Sequence, residues 1–196
     1  RSRFVIGRDA ATPGYEPGPL PDGEWHVILG LHALPARGVD VEVTVSLPAT
    51  GPVEADPPAP AAATTDRGHT RGLPAPDGLT WFAGDFHSHS LHSDGDHSLA
   101  QLAAKATANG LDFLAVTEHN TVSHHPHLPG VGVAYDLTLL PGQEVTTSRG
   151  HANAFGEIGW IDFRTPAAEW EPEVERRGGF LSVNHPVEGD CSWEQP

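Results

Sequence analysis

Between Asp85 and Asn120 the chain runs from DFHSHSLHSDGDH to LDFLAVTEHN. His87 and His89 stand on alternate positions, followed by His92, Asp94, Asp96 and His97, and Glu118 and His119 close an apolar run. Imidazole and carboxylate are the ligand types that suit zinc, manganese and iron. Side chains two apart on a strand share a face, so His87 and His89 at a strand end can grip one ion together. A lone H-x-H is explained as well by a polar surface loop. Here the pair follows an apolar segment, TWFAGDF, and further ligand types recur: Glu144 in LPGQEV, His151 in GHANAFG and His185 in SVNHP. That combination points to a metal centre.

Such residues need strand ends to hold them. TWFAGDFHSH reads as a strand leading into the histidine block. HSLAQLAAKATANG reads as a helix, with Ser98 as N-cap, Leu99, Leu102, Ala103 and Ala106 on one face, and Gly110 as its stop. LDFLAV is a buried strand, LTLLPGQEV a second that delivers Glu144, and GHANAFG a further extended segment with His151. Thr165-Pro166 opens a helix running to about Arg177, Gly178-Gly179 stops it, and FLSVNHP is a strand ending in His185. This strand–helix repetition predicts a parallel α/β fold. The ligand types fall at strand ends, where α/β sheets and barrels place their sites.

Upstream the pattern differs. Residues 1–47 read as β: VDVEVTVSL alternates cleanly from Val39 to Leu47, Trp25–Leu31 less strictly, and RFVIG offers a third strand. Two or three strands make a marginal unit, so the segment reads as part of a small β-sandwich. Residues 48–78 carry seven prolines and runs such as PPAPAAATTD, and read as an extended linker. The α/β domain takes 79–196.

Composition sets outer bounds. Eleven basic against 26 acidic residues give a net charge of −15, which argues against a nucleic-acid surface built on bulk electrostatics. A small anionic substrate held by metal ions is compatible with it, because bound cations reverse the local field. Cys191 is the only cysteine, so there is no internal disulfide and no cysteine-based zinc site. No run is long and apolar enough to span a membrane, and no signal peptide is visible. The expected location is cytoplasmic, although the chain begins Arg-Ser-Arg without Met.

In order, the constellation is H-x-H, D-G, E-H-N, a Glu with a His seven residues on, then N-H-P. It resembles the polymerase-and-histidinol-phosphatase (PHP) superfamily of metal-dependent hydrolases. VTEHNTVSHH, LPGQEVTTSRGHANAFG, WIDFR and SVNHP look most like its CehA/McbA branch, which includes a carbaryl hydrolase. The resemblance covers about residues 79–195. It implies a distorted, TIM-like (βα)7 barrel with two or three divalent ions (zinc, manganese or iron). His87 and His89 would hold the first ion, Glu144 would bridge the first and second, His151 and His185 would complete the second, and Asp94 and His119 would bind a third. His119 and Arg149 are the catalytic candidates. The implied reaction on a small-molecule ester is phosphoester hydrolysis, in which a hydroxide shared by two ions attacks phosphorus. Carbamate or carboxylic ester hydrolysis follows the branch resemblance, and a non-catalytic metal-binding module ranks third.

Other residues carry weaker expectations. Glu118 is read as a partner behind a ligand histidine. His92, Asp96 and His97 are loop or helix-entry residues. His124, His125 and His127 either face substrate as proton donors or form a plain polar loop. Arg149 either binds an anionic group or is an exposed loop arginine. Asn184 orders the turn before Pro186. Trp81, Trp160 and Trp170 are core or interface. The chain offers only about four strand–helix units, and nothing after His185 resembles the family's last ligand segment. The expectation is therefore a partial barrel, cut at the C-terminus, with an exposed strand edge and little activity of its own.

Overall fold

A computed structural model describes residues 3–29, 35–63, 73–187 and 192–195. Asp190, Cys191 and the end of the expected Trp25–Leu31 strand lie outside the described residues. The chain divides into two units, one of Arg1–Thr12 with Glu16–Glu54, the other of Pro13–Tyr15 with Ala55–Pro196.

The second unit is mixed α/β. Its strands are β1 (Gly84–Asp85), β2 (Phe113–His119), β3 (Thr138–Thr147), β4 (Gly150–Phe155) and β5 (Phe180–Val183), and its helices α1 (Leu99–Ala108), α2 (Leu128–Tyr135) and α3 (Trp170–Arg176). The strands form one curled sheet, half of a barrel, in the order β1-β2-β3-β4-β5.

α1 starts where its sequence says it should. Ser98 Oγ accepts from Gln101 N at 3.2 Å, and Gln101 Oε1 accepts from Ser98 N at 3.0 Å, a reciprocal capping box. Its small face, Ala103, Ala104 and Ala106, packs with Leu114, Tyr135 and Leu137. Leu114 and Val116 thus lie on the helix-covered face of β2. By the strand period of two, Phe113, Ala115, Thr117 and His119 take the concave face.

Two expectations give way. The sheet is not all parallel: β1, β2 and β3 run parallel, but β3–β4 and β4–β5 are antiparallel. Only Ser148 and Arg149 separate the paired Thr147 and Gly150, and a two-residue connection can join strands only as a hairpin. Gly150 is required there, with φ +125° and Trp193 so close that a Cβ would sit 2.9 Å from its ring. The segment after EHN, expected to be a loop, instead contains the 3₁₀ turn His125–His127 and leads into α2.

The expected N-terminal strands do not form in the described residues. Among the described residues of the first unit the pairing is a single bridge, Ile6 with Ala11. Val39, Val41, Val43, Val45 and Leu47 are all at least half exposed. An alternating strand is stable only with a partner and an apolar face to cover, and this one has neither among the described residues. Part of the proline-rich segment, in contrast, is docked. Gln101 Nε2 donates to Pro58 O at 3.0 Å, Tyr135 Oη to Pro60 O at 2.7 Å, and Ala59 joins the cluster under α1. Extended proline-rich backbone leaves its carbonyls free for such side-chain donors.

Below the strand ends the concave face is aromatic. Phe86 meets Phe113 at 4.9 Å and Phe155 at 6.1 Å, and Phe155 stacks on Phe180 at 4.7 Å. Phe86 and Phe180 are more than half exposed, and β5 is the last strand of the sheet.

Candidate metal centre

The register of the sheet builds the site. β2 and β3 pair in parallel with His119 beside Glu144, so the last residue of β2 and a glutamate near the end of β3 stand side by side on one face. The β3–β4 hairpin folds His151 back opposite Thr146 and sets Asn153 opposite Glu144. His87 and His89 arrive on the irregular segment after β1. That segment is tied to β2 by Thr117 N donating to Ser88 O (2.9 Å) and Ser88 Oγ to Ala115 O (2.6 Å).

Glu144 is the hub. Its side chain is fully buried, and five imidazoles surround it. Oε1 lies 3.3 Å from His87 Nε2, 3.2 Å from His151 Nδ1 and 3.4 Å from His185 Nε2. Oε2 lies 3.3 Å from His89 Nε2 and 2.9 Å from His119 Nδ1. The His119 nitrogen is aimed at Thr146 Oγ1, 2.6 Å away, which leaves Oε2 with a close neighbour but no aligned donor. Asp94, largely exposed, approaches His119 Nε2 at 3.5 Å.

The electrostatics follow from that crowding. Burial alone pushes the Glu144 carboxyl up, but contacts with His119, His151, His87 and His89 outweigh it and hold the group far below the usual carboxylate range. Burial pulls His119 down, yet the Glu144 carboxylate beside it, helped by Asp94 and Glu118, raises it above its ordinary value.

These residues suit a divalent cation. Three overlapping sets bring their donor atoms within 4.8 Å of one another: His87–His89–Glu144, His89–Asp94–His119, and His119–Glu144–His151. The Nε2 atoms of His87 and His89 face each other at 3.0 Å, an arrangement in which one must carry a proton unless both lone pairs serve a cation. Two buried polar atoms of the cluster, Glu144 Oε2 and His151 Nε2, have no hydrogen-bond partner. Neutral imidazoles with a carboxylate are the donor set of zinc, manganese and iron sites. His185 reaches Glu144 and stacks on His87, but stands outside the three sets.

Glu118 stands behind the cluster. On the helix-covered face of β2, fully buried, it accepts from Ser90 N at 2.9 Å and from the hydroxyls of Ser90 and Ser93. Ser93 Oγ also lies 3.4 Å from His89 Nδ1. With its own proton given to Glu118, that oxygen accepts from Nδ1–H and leaves the Nε2 lone pair of His89 facing Glu144.

Other expected residues fall elsewhere. Arg149 sits exposed in the hairpin turn with Nη2 on Glu194 O at 2.6 Å, and is engaged there rather than at Glu144. His124 is turned into the fold rather than outward. It is buried, its Nε2–H donates to Val116 O at 3.0 Å, and burial, reinforced by neighbouring His125, lowers it to about 3. His125 likewise donates to Gly142 O at 3.1 Å, so this pair pins the turn to the sheet. His92 meets Ser123 Oγ at 2.8 Å, His97 meets Lys105, and Asp96 and His127 are exposed. Trp170 is core, Trp160 donates to Asn120 O, and Trp81 is half exposed. Three asparagines take roles not expected from sequence, Asn184 among them, which was expected only to order the turn before Pro186. Asn120 (φ +52°) extends the β2–β3 ladder by bonding both N and O of Thr146. Asn153 and Asn184 reach the Glu144 network. The alternation H-A-N at 151–153 was the available signal for Asn153, since it puts Asn153 on the face of His151.

A curled α/β half-barrel with a buried glutamate ringed by histidines at its strand ends defines the class. No protein-family model matches the chain, and no curated protein matches it. Among solved structures it is similar to a two-domain protein from Bacteroides vulgatus that contains a predicted PHP-like metal-dependent phosphoesterase. The TM-score is 0.52 and the identity 24%, over 66% of this chain and 42% of that one. The likeness is one of fold, and the chain spans less than half of that protein's length.

Proposed function

We propose that the protein is a PHP-type metal-dependent hydrolase that cleaves a phosphoester. The observation that carries this reading is Glu144, buried among five imidazoles with one oxygen lacking an aligned donor. His87, His89, His119, His151, His185 and Glu144 would hold the ions, with Asp94 at the exposed rim. Divalent cations bound there supply Lewis acidity toward an ester oxygen and make water acidic enough to act as a nucleophile. The residues of the chain do the rest. Glu144 offers an oxygen to each side of the cluster and offsets cation repulsion. Ser93 and Glu118 fix the tautomer of His89, while Thr146 orients His119. In the net reaction water's oxygen forms the new P–O bond, the ester P–O bond breaks, and the alcohol leaves with a proton. Asp94, at the open edge 3.5 Å from His119 Nε2, would take up that proton.

The test loads the protein with manganese or zinc and offers p-nitrophenyl phosphate, a phosphate bis-ester and 1-naphthyl N-methylcarbamate. Turnover of a phosphate ester that disappears with chelator supports the reading. Turnover of the carbamate alone would replace it with carbamate hydrolysis, and failure to bind either metal would remove it.

A further inference from the structure

We infer that Asn184 is a positioning residue that orients the Glu144 carboxylate for metal and locks three ligand-bearing segments together, an inference that rests on the metal-centre reading above. Asn184 is buried. Its Nδ2 donates one hydrogen to Glu144 Oε1 at 2.8 Å and the other to Asn153 Oδ1 at 2.8 Å. Asn153, also buried, donates its own Nδ2 to Phe86 O at 3.3 Å, the carbonyl just before His87. Asn184 N donates to His151 O at 3.0 Å, and the next residue is His185. One amide therefore ties the strand ends carrying Glu144, His151 and His185 to each other, and through Asn153 to the segment carrying His87.

The direction of this relay is fixed by chemistry. A carboxylate only accepts, and Asn153 presents its carbonyl because its amide nitrogen is spent on Phe86 O. Asn184 must therefore turn its NH₂ toward both. Glu144 Oε1 has a fixed donor as a result, while Oε2 has none aligned. The carboxylate is held in one rotation with a free lone pair on the side of His89 and His119. An ionised carboxylate at position 184 would set oxygen against two oxygens, so Asn184→Asp is not a conservative change.

The experiment is Mn²⁺ titration by calorimetry, with the metal-free melting temperature measured alongside, for wild type, Asn184→Ala, Asn184→Asp and Asn153→Ala. Val174→Ala serves as a control, since Val174 is fully buried in the cluster under α3 and destabilises without touching the relay. Loss of a residue that orients a ligand typically weakens metal binding about 10–100-fold. Asn184→Ala is expected in that range, Asn184→Asp at least as weak, and Val174→Ala close to wild type at a similar drop in melting temperature. Asn153→Ala should weaken binding too, and combining it with Asn184→Ala should add little, because both cut one relay. Wild-type affinity in Asn184→Ala, or an equal loss in Val174→Ala, overturns the positioning role alone. A wild type that binds neither Mn²⁺ nor, in a parallel titration, Zn²⁺ overturns the metal-centre reading and this inference with it.

Discussion

Removing Glu118 tests how the first histidine pair is held. The carboxyl accepts from one main-chain N–H and two serine hydroxyls in a fully buried setting. Leaving a buried donor unsatisfied costs about 1–3 kcal/mol, and a hydrogen bond to a charged acceptor contributes about 1.5–3 kcal/mol. The hydroxyls of Ser90 and Ser93 can turn to other acceptors, so their losses fall at the low end, whereas Ser90 N–H cannot turn. Glu118→Ala should therefore destabilise by about 3–5 kcal/mol, a large share of the ~5–15 kcal/mol that holds a typical domain. Glu118→Gln keeps the shape and one acceptor oxygen and should lose roughly half as much. Urea unfolding of the metal-free protein measures this as a midpoint shift at constant slope. A loss in Glu118→Ala below about 1 kcal/mol, the size of a surface change, would refute the buried-network argument. Ser93→Ala isolates the relay: it should cost little stability yet weaken metal binding through His89.

His87→Ala should lower bound metal sharply and His97→Ala should leave it unchanged, because His97 meets Lys105 rather than Glu144; equal losses by elemental analysis would show that the two histidines have been misassigned. The metal-free protein should be most stable between about pH 4.5 and 6.5 with respect to this cluster. Glu144, lowered from 4.5, stabilises above that value and its contribution fades as pH falls below it; His119, raised from 6.5, stabilises fully below that value and its contribution fades as pH rises through its folded pKa. Metal competes with the His119 proton, so adding Mn²⁺ should move the stability optimum upward, and melting curves with and without chelator should separate most above pH 6.5. A His119→Gln protein whose alkaline limb matches wild type would contradict this.

Much of the site was legible because residue chemistry survives without coordinates. His87, His89, Glu144, His151 and His185 could be collected by ligand type and by their place after apolar runs, and the structure brings all five together. α1 was legible because Ser98 and Gly110 punctuate it locally. The hairpin was not, because Ser148-Arg149 is a turn only by virtue of what it joins. α2 was hidden by its own composition: LPGVGVAY carries two glycines and a proline, and burial of Leu128 and Tyr135 outweighs its poor propensity. The alternation at 39–47 misled in the opposite sense, since periodicity describes a strand's faces but supplies no partner. Asn153 escaped, and Asn184 was read only as a turn residue, because an amide's role is set by which groups surround it.

The most direct test is a crystal of the manganese- or zinc-loaded protein, read by anomalous scattering. A peak is expected among His87, His89 and Glu144, with imidazole nitrogens and a carboxylate oxygen at about 2.0–2.3 Å. Ions bound only elsewhere, or no peak under saturating metal, would contradict it.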